Sequence, residues 1–455
     1  MKTLLTLSAL SLCGVVSAFA ADAAPAITFN KHIAPIIYNN CASCHRPGEA
    51  APFNLLSYQD TMKKGKLIAA VTKSRYMPPW KAVPTSYSFK DERLLKQGEI
   101  DMIEAWVKQG MPEGSAADAP KVPAFKSGWM LGDPDLVVEL PAAYHVPSEG
   151  ADIYRNIAIP LGLAEDKWIT AIDMKPTARS VVHHVLYFAD PTGKAHQRTD
   201  GTTEPGYSGM TAGGASNVGL GGWALGAQPH RQPEGLAQKL PKGSDFIIQY
   251  HFHPNGKTQT EKAVVGLYFA KEAPKRTLVG ISLPPTFGLF AGLDIPPNEK
   301  DYVIRDSFVL PADFDAVSIG AHAHYIAKDM KMTATLPNGE VQTLLHITDW
   351  DFAWQDRYFF DHFISLPKGT RLDSEVHWDN TTSNPKNPSN PPIRVTWGEQ
   401  SADEMGAVIL QGVPHEEADL KALTGEVGKH QQAQVQQRMK EDPAFMKKIS
   451  ALLAQ

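Results

Sequence analysis

Cysteine is scarce in this chain: 455 residues hold three, Cys13, Cys41 and Cys44. Cys13 lies inside an apolar N-terminal stretch and the other two form one C-x-x-C, so no disulfide framework is available and stability must come from packing. The same shortage excludes a blue-copper centre, which needs a cysteine thiolate. Excess positive charge is lacking too. Lysine and arginine total 44 against 49 acids, a formal net charge of -5, with no basic stripe, which argues against a nucleic-acid partner. After residue 20 no apolar run is long enough to cross a bilayer, so no stable membrane span is expected.

What is present begins with a leader. Lys2, the apolar run Leu4 to Val16 and the ending Ala18-Phe19-Ala20 read as a cleaved secretory signal over residues 1–20, which places the mature protein outside the cytoplasm. Leu12 is a poor residue before an acylated cysteine, so Cys13 does not make a lipoprotein signal. The remaining length is too great for one core and predicts two or three domains.

Residues 41–45 read C-A-S-C-H. This spacing lets Cys41 and Cys44 form thioethers to one heme edge while His45 reaches the iron as proximal ligand. A zinc half-site or a redox C-x-x-C is the alternative, but zinc would require two further ligands nearby. The segment 26–115 therefore reads as a small all-α cytochrome c domain. Its second axial ligand should come from a loop before the last helix, and S-R-Y-M-P-P-W (74–80) offers Met77 in a proline-stiffened stretch that cannot continue a helix. Met62, Met102 and Met111 are read as core or surface residues. Methionine ligation would raise the heme potential.

A Gly-, Ser-, Ala- and Pro-containing linker follows, 116–132 in the domain division, and helical periodicity then gives way to short runs such as DLVVEL, DFIIQYHFH and GLYFA. These predict an all-β sandwich architecture over 133–412, divided at 273/274. A weak repeat supports the division. V-P-S-E-G-A-D-I-Y-x-x-x-I-A-I-P (146–160) is similar to I-P-P-N-E-K-D-Y-V-I-R-D-S-F-V-L-P (295–311), and each precedes a histidine pair by about twenty residues, which predicts equivalent places for the two pairs. The tail 413–455 is rich in Gln, Lys, Glu and Ala and reads as helical, with Asp442-Pro443 opening a final helix.

The histidines carry the chemistry. In A-H-A-H-Y (321–325), His322 and His324 stand two apart on a strand and project from one face, so both can hold one metal. Met405 adds a soft thioether, and a His2Met set suits Cu(I) with a position left for dioxygen. His183 and His184 are adjacent, which on a regular strand points them to opposite faces; they share a metal only at a strand end or a bulge. His251 is the expected third ligand, with His253 as its competitor on the same face. Such an all-imidazole site suits electron transfer.

These residues resemble the copper type II ascorbate-dependent monooxygenases, the peptidylglycine α-hydroxylating and dopamine β-monooxygenase family, over roughly residues 133–412. H-H-V-L-Y-F (183–188) looks like the family's paired-histidine motif. I-I-Q-Y-H-F-H (247–253) looks like its third electron-transfer ligand, A-H-A-H-Y like the H-x-H of its oxygen-binding copper, and S-A-D-E-M (401–405) like its methionine motif. The resemblance implies two jelly-roll-like sandwiches whose two coppers face each other across an open cleft. It also implies catalytic His322, His324 and Met405, and an electron-supplying copper on His183, His184 and His251. Where peptide-hydroxylating members place a carboxylate-binding arginine, this chain has Gly320, and their asparagine and tyrosine after the methionine become Ala407 and Ile409. A glycine-extended peptide is thus not expected, and an apolar pocket for a small neutral or aromatic molecule is. Absent disulfides fit a periplasmic version, with the heme replacing or relaying for ascorbate or delivering electrons from a periplasmic redox protein.

The remaining histidines have no partner at metal-ligand spacing and read as structural or exposed, and the aromatic run 349–363 reads as sandwich core. The leading expectation is a copper- and heme-dependent monooxygenase of the periplasm. The alternative is a non-catalytic electron-transfer or copper-binding cytochrome fusion.

Overall fold

The structure, a computed structural model, describes residues 26–49, 51–125, 128–209, 218–445 and 447. The leader expected over 1–20 lies outside the described residues, as does most of the helix expected after Pro443. The chain is mostly β-sandwich with a C-terminal helix. Among the described residues no helix is long and apolar enough to cross a membrane.

Helices are few at the N-terminal end. A π-turn (Phe29–Ile33) runs into α1 (Ala34–Asn40), and α2 (Tyr58–Lys73) and α3 (Gln97–Lys108) follow. Ser57 caps α2 by accepting from the Asp60 N–H, and Glu99 returns to the Lys96 N–H at the start of α3. Their apolar stripes meet around Phe29, Ile33, Ile68, Ile103 and Trp106. Residues 80–94 leave this cluster, and Leu95 returns to it. Trp80, Ala82 and Phe89 pack into the core of the second sandwich, with bridges from Ala82 to Ile347 and from Phe89 to Phe360. Within the segment expected as one module over 26–115, the stretch from Trp80 to Leu94 thus packs on the second sandwich, while the helices pack on one another.

Four larger sheets form two sandwiches. In the first, strands Leu136–Glu139, Val264–Phe269, Lys167–Lys175 and Gln238–Leu240 make the outer sheet. The inner sheet has the order Tyr207–Ser208, Ile153–Pro160, Asp245–Phe252, Val182–Asp190, Val218–Ala224. In the second sandwich, Val279–Leu283, Gly406–Pro414, Phe314–Ala323 and Arg357–Leu366 form the inner sheet, and Tyr302–Val309, Arg371–Trp378, Ala327–Thr335 and Val341–Ile347 the outer one. Period-two alternation sorts the side chains. Phe246, Ile248, Tyr250 and Phe252 fill the first core while Ile247, Gln249 and His251 face away from it; Ile319, Ala321 and Ala323 fill the second while Ser318, Gly320 and His322 face away.

The repeat does not place its two histidine pairs equivalently. Ile153–Pro160 shares the inner sheet with His183 and His184, whereas its counterpart Tyr302–Val309 lies in the outer sheet, opposite the one that carries His322. The tail helix α4 (Leu420–Glu441) lies against the second sandwich through Leu423, a His430–Asp306 contact at 2.9 Å, and Arg438 beside Gly292.

Candidate metal centre between the inner sheets

The adjacent histidines are reconciled by a β-bulge. Val182 pairs with Phe252 and His184 with His251, so His183 is an extra residue with no partner across the ladder. Val182 and Val185 both face the core, and His183 and His184 both turn away from it. Their Nδ1 atoms lie 3.0 Å apart, and the Nδ1 of His251 lies 3.4 Å from that of His184. Two nitrogens bound to one metal at about 2.0–2.1 Å stand roughly 2.8–3.6 Å apart for bond angles of about 90–120°, so the spacing fits three imidazole ligands of one ion.

The far sides of these rings fix their tautomers. His183 Nε2 donates to the Phe352 carbonyl at 2.9 Å, and His251 Nε2 lies 3.2 Å from Asp152 Oδ2. With protons on both Nε2 atoms, the Nδ1 lone pairs of His183 and His251 converge with that of His184, an arrangement that favours a cation between them. Tyr154 stacks on His251 at 4.5 Å and donates to the Glu399 carbonyl. His253 is not in this set: half-exposed, it binds Asp152 Oδ1 at 2.6 Å.

Asp152 was not legible as a site residue. It accepts from the backbone N–H of Ser401 at 2.9 Å and from the Ser401 hydroxyl, so one carboxylate ties His251 to the S-A-D-E-M loop of the other sandwich. Burial pushes its pKa up, but hydrogen bonds from His251, His253 and Ser401 outweigh this and hold it well below the usual carboxylate range.

The second set is oriented differently. His322 Nδ1 meets Gln355 Oε1 at 2.5 Å and His324 Nδ1 meets the Asp403 carbonyl at 3.1 Å, so both Nε2 atoms are left for a ligand. His322 pairs with Ala407 and Ala323 with Gly406, which brings Met405 opposite His324 on the same face. Glu404 accepts from the N–H groups of His324, Ile326 and Met405 and from the Trp378 indole, fixing the loop from inside; burial pushes its carboxyl up to about 8 against these donors.

The two sets lie close together. The rings of His184 and His322 are 5.7 Å apart, and Phe352 stacks on His183 at 3.9 Å. The aromatic run 349–363 is core in large part, with Trp350 and Tyr358 buried, but Phe352 also forms a wall of the centre. Burial lowers the pKa of His183 to about 3 and of His322 to about 4, and puts His184 and His324 well below the usual value, so all four are neutral and able to ligate at pH 7.

Beside these rings a partly open cavity of about 580 Å3 lies between the two sandwiches, lined in part by His184, His322 and Met405. Its walls include Leu186, Phe287, Phe359 and Ile409 together with Asp356 and Glu399; Ala407 lies buried opposite His322. It also holds Arg357, a residue with no motif of its own, in register with Gly320 on the neighbouring strand.

Cys41, Cys44 and His45 lie in the turn after α1, with both thiols free. His45 Nδ1 meets the Phe53 carbonyl at 3.0 Å, leaving Nε2 for an axial bond, and burial and the neighbouring Cys44 push the Cys41 thiol up to about 12. This donor set fits a covalently attached heme. Met77 is half-buried in the loop after α2. Gln228 donates to Ser43 Oγ at 2.9 Å, docking the C-x-x-C-H turn on the first sandwich, and Tyr76 meets Trp354 at 5.2 Å.

No protein-family profile matches the chain, and no curated protein does. Among solved structures, the overlaps include PNGF-II at 10% identity, covering 63% of this chain and 67% of that one with a TM-score of 0.27. The infectious bursal disease virus VP2 subviral particle matches at 7% identity over 66% and 76%, TM-score 0.20. The Sulfolobus Turreted Icosahedral Virus structure matches at 10% identity over 68% and 99%, TM-score 0.24. At these scores the overlaps carry no functional argument.

Proposed function

We propose that the protein is a periplasmic copper-dependent monooxygenase that hydroxylates a C–H bond of a small non-peptide substrate, with electrons delivered through an attached c-type heme. The reading follows the resemblance to the copper type II ascorbate-dependent monooxygenases. One observation carries it: the bulge at His183 brings three imidazole nitrogens to metal-ligand spacing beside a second His2Met set that faces a cavity. A copper carrier has no use for a cavity of that size next to an open ligand set, which favours the enzyme over the binding protein.

His183, His184 and His251 would hold one copper, His322, His324 and Met405 the other, and Cys41, Cys44, His45 and Met77 the heme. When bound, copper supplies one-electron and dioxygen chemistry, and heme the single electrons that feed it. The chain's own residues do the rest. Asp152, Phe352 and Gln355 set ring orientation and tautomer; Glu404 fixes the backbone of His324 and Met405. Phe287, within 5.1 Å of the His322 ring, and Ile409 keep the substrate side apolar and exclude water.

The test is the copper and iron content per chain of protein made in the periplasm with heme maturation and copper supplied. Two coppers and one iron are expected, with one copper lost in His251→Ala and the other in Met405→Ala. One iron with no specific copper would overturn the reading.

A further inference from the structure

One turn of the second sandwich touches the C-x-x-C-H segment's loop on one side and the first histidine set on the other. Residues 351–356 are held to the N-terminal segment by two pairs, Lys81 with Asp351 at 3.7 Å and Arg93 with Asp356 at 2.8 Å. Between these clamps Trp354 meets Tyr76, the residue before Met77, edge to face with ring centroids 5.2 Å apart. Gly226 of the first sandwich makes room for the indole: its φ is +84°, and a Cβ there would stand 3.3 Å from Trp354 Cζ3 and 3.1 Å from Pro79 Cγ. Two residues before Trp354 the Phe352 carbonyl accepts from His183 Nε2 at 2.9 Å, and the Phe352 ring stacks on the same imidazole at 3.9 Å. Trp354 is 7% exposed, yet it belongs to the hydrophobic core of neither sandwich, and its indole N–H is buried without an acceptor among the described residues. A leucine would fill such a place without stranding a donor, so packing alone does not explain a tryptophan there.

We propose that Tyr76 and Trp354 form the ring pair through which an electron crosses from the heme to the copper held by His183, His184 and His251. The inference rests on the monooxygenase reading and names the residues that connect its electron donor to its copper. Electrons tunnel more readily along bonded atoms and conjugated rings than across saturated gaps. From Trp354 the backbone runs through Ala353 to the Phe352 carbonyl, and one hydrogen bond then reaches His183 Nε2, on the ring whose Nδ1 faces His184. The step balances: ferrous heme becomes ferric, cupric ion becomes cuprous, no bond is made or broken, and Trp354 itself is neither oxidised nor deprotonated. Two other bridges are less suited. Gln355 leads from the same turn to His322 Nδ1, but through a saturated side chain. Gln228 donates to Ser43 Oγ at 2.9 Å and lies 3.8 Å from Cys44 Sγ, but it returns to Ala224, opposite His184, through a saturated side chain and a further stretch of backbone. Gln228 docks the C-x-x-C-H turn, and the ring pair carries the charge.

The test uses the full-length protein loaded with heme and copper, under argon and without substrate. A photoexcited ruthenium dye delivers one electron, and decay of the ferrous heme absorbance reads its passage to copper. His251→Ala, in which ferrous heme should persist, defines the copper-dependent part of that decay. Trp354→Leu should lose the copper-dependent decay, Trp354→Phe should keep most of it, and Tyr76→Leu should slow it from the exposed side of the contact. Heme content, copper content and both reduction potentials, measured on the same samples, should match the unaltered protein, so that a slower rate is not a smaller driving force. Unaltered decay in Trp354→Leu overturns the proposal, as does unaltered decay in Tyr76→Leu where Trp354→Leu fails to fold. Decay that slows only in step with a shifted potential overturns it as well. Iron without copper removes the oxygenase reading and this route with it, whereas both metals in place with unaltered decay removes the route alone.

Discussion

The two histidine sets use the same side chain in opposite ways. In the first sandwich the Nδ1 atoms of His183, His184 and His251 point at one another, and two of the rings are held from behind by groups that include the other sandwich's Phe352 carbonyl. In the second, Nδ1 is spent on Gln355 and on the Asp403 carbonyl, so Nε2 of His322 and His324 projects forward, next to a cavity. A ring that presents its near nitrogen to its neighbours makes a closed site; one that presents its far nitrogen leaves space in front. The difference teaches that ligand identity does not fix a site's openness, whereas the hydrogen bond on the other nitrogen does.

The largest effect that could break this comparison is acid. His183 and His322 have folded pKa values of about 3 and about 4, below the unfolded value of about 6.5, so the unfolded chain binds more protons. Stability of the metal-free protein should therefore fall as pH drops from about 6.5 towards 4, by up to about 1.4 kcal/mol per pH unit for each buried histidine. Urea midpoints across that window check it, and a flat profile would contradict the burial of both sets.

Next comes Glu404→Leu, which strands four N–H donors in the second sandwich. It should cost about 3–5 kcal/mol in equilibrium unfolding and remove metal from the His322 set while sparing the His183 set. Equal metal loss from both sets would mean the two are one site.

Asp152→Asn sharpens the contrast from the other side. It should weaken copper at His183, His184 and His251 by about 10- to 100-fold in chelator competition, with the His322 set unchanged. Gln355→Leu should do the reverse within the same range.

The smallest effect is expected of Phe352→Leu, which keeps the carbonyl that accepts from His183 and loses only the stacked ring. A cost of about 0.5–1.5 kcal/mol in thermal unfolding is anticipated. A larger loss confined to first-set metal binding would show that the ring, not the carbonyl, positions His183.

Candidate ligands were readable because metals select side chains by chemistry: H-H, H-x-H, His251 and Met405 are visible in one dimension. Their supports were not. Asp152, Gln355 and Glu404 reach their histidines across 33 to 99 residues of chain, and an acid or amide at such a distance has no local signature. The repeat misled for a related reason, since similar strands can enter opposite sheets of a sandwich without changing their alternation.

The sequence by itself determined that the bulk of the chain is β, that a helical tail closes it, and which histidines could act together, because periodicity and donor chemistry are local properties. Only the tertiary structure decided that a bulge turns His183 to the side of His184, that residues 80–94 join the second sandwich, that rings of the two sets lie 5.7 Å apart, and that Arg357 stands beside Gly320. Register, sheet order and the meeting of two inner sheets depend on pairing between distant segments, and pairing is settled by packing the whole molecule at once.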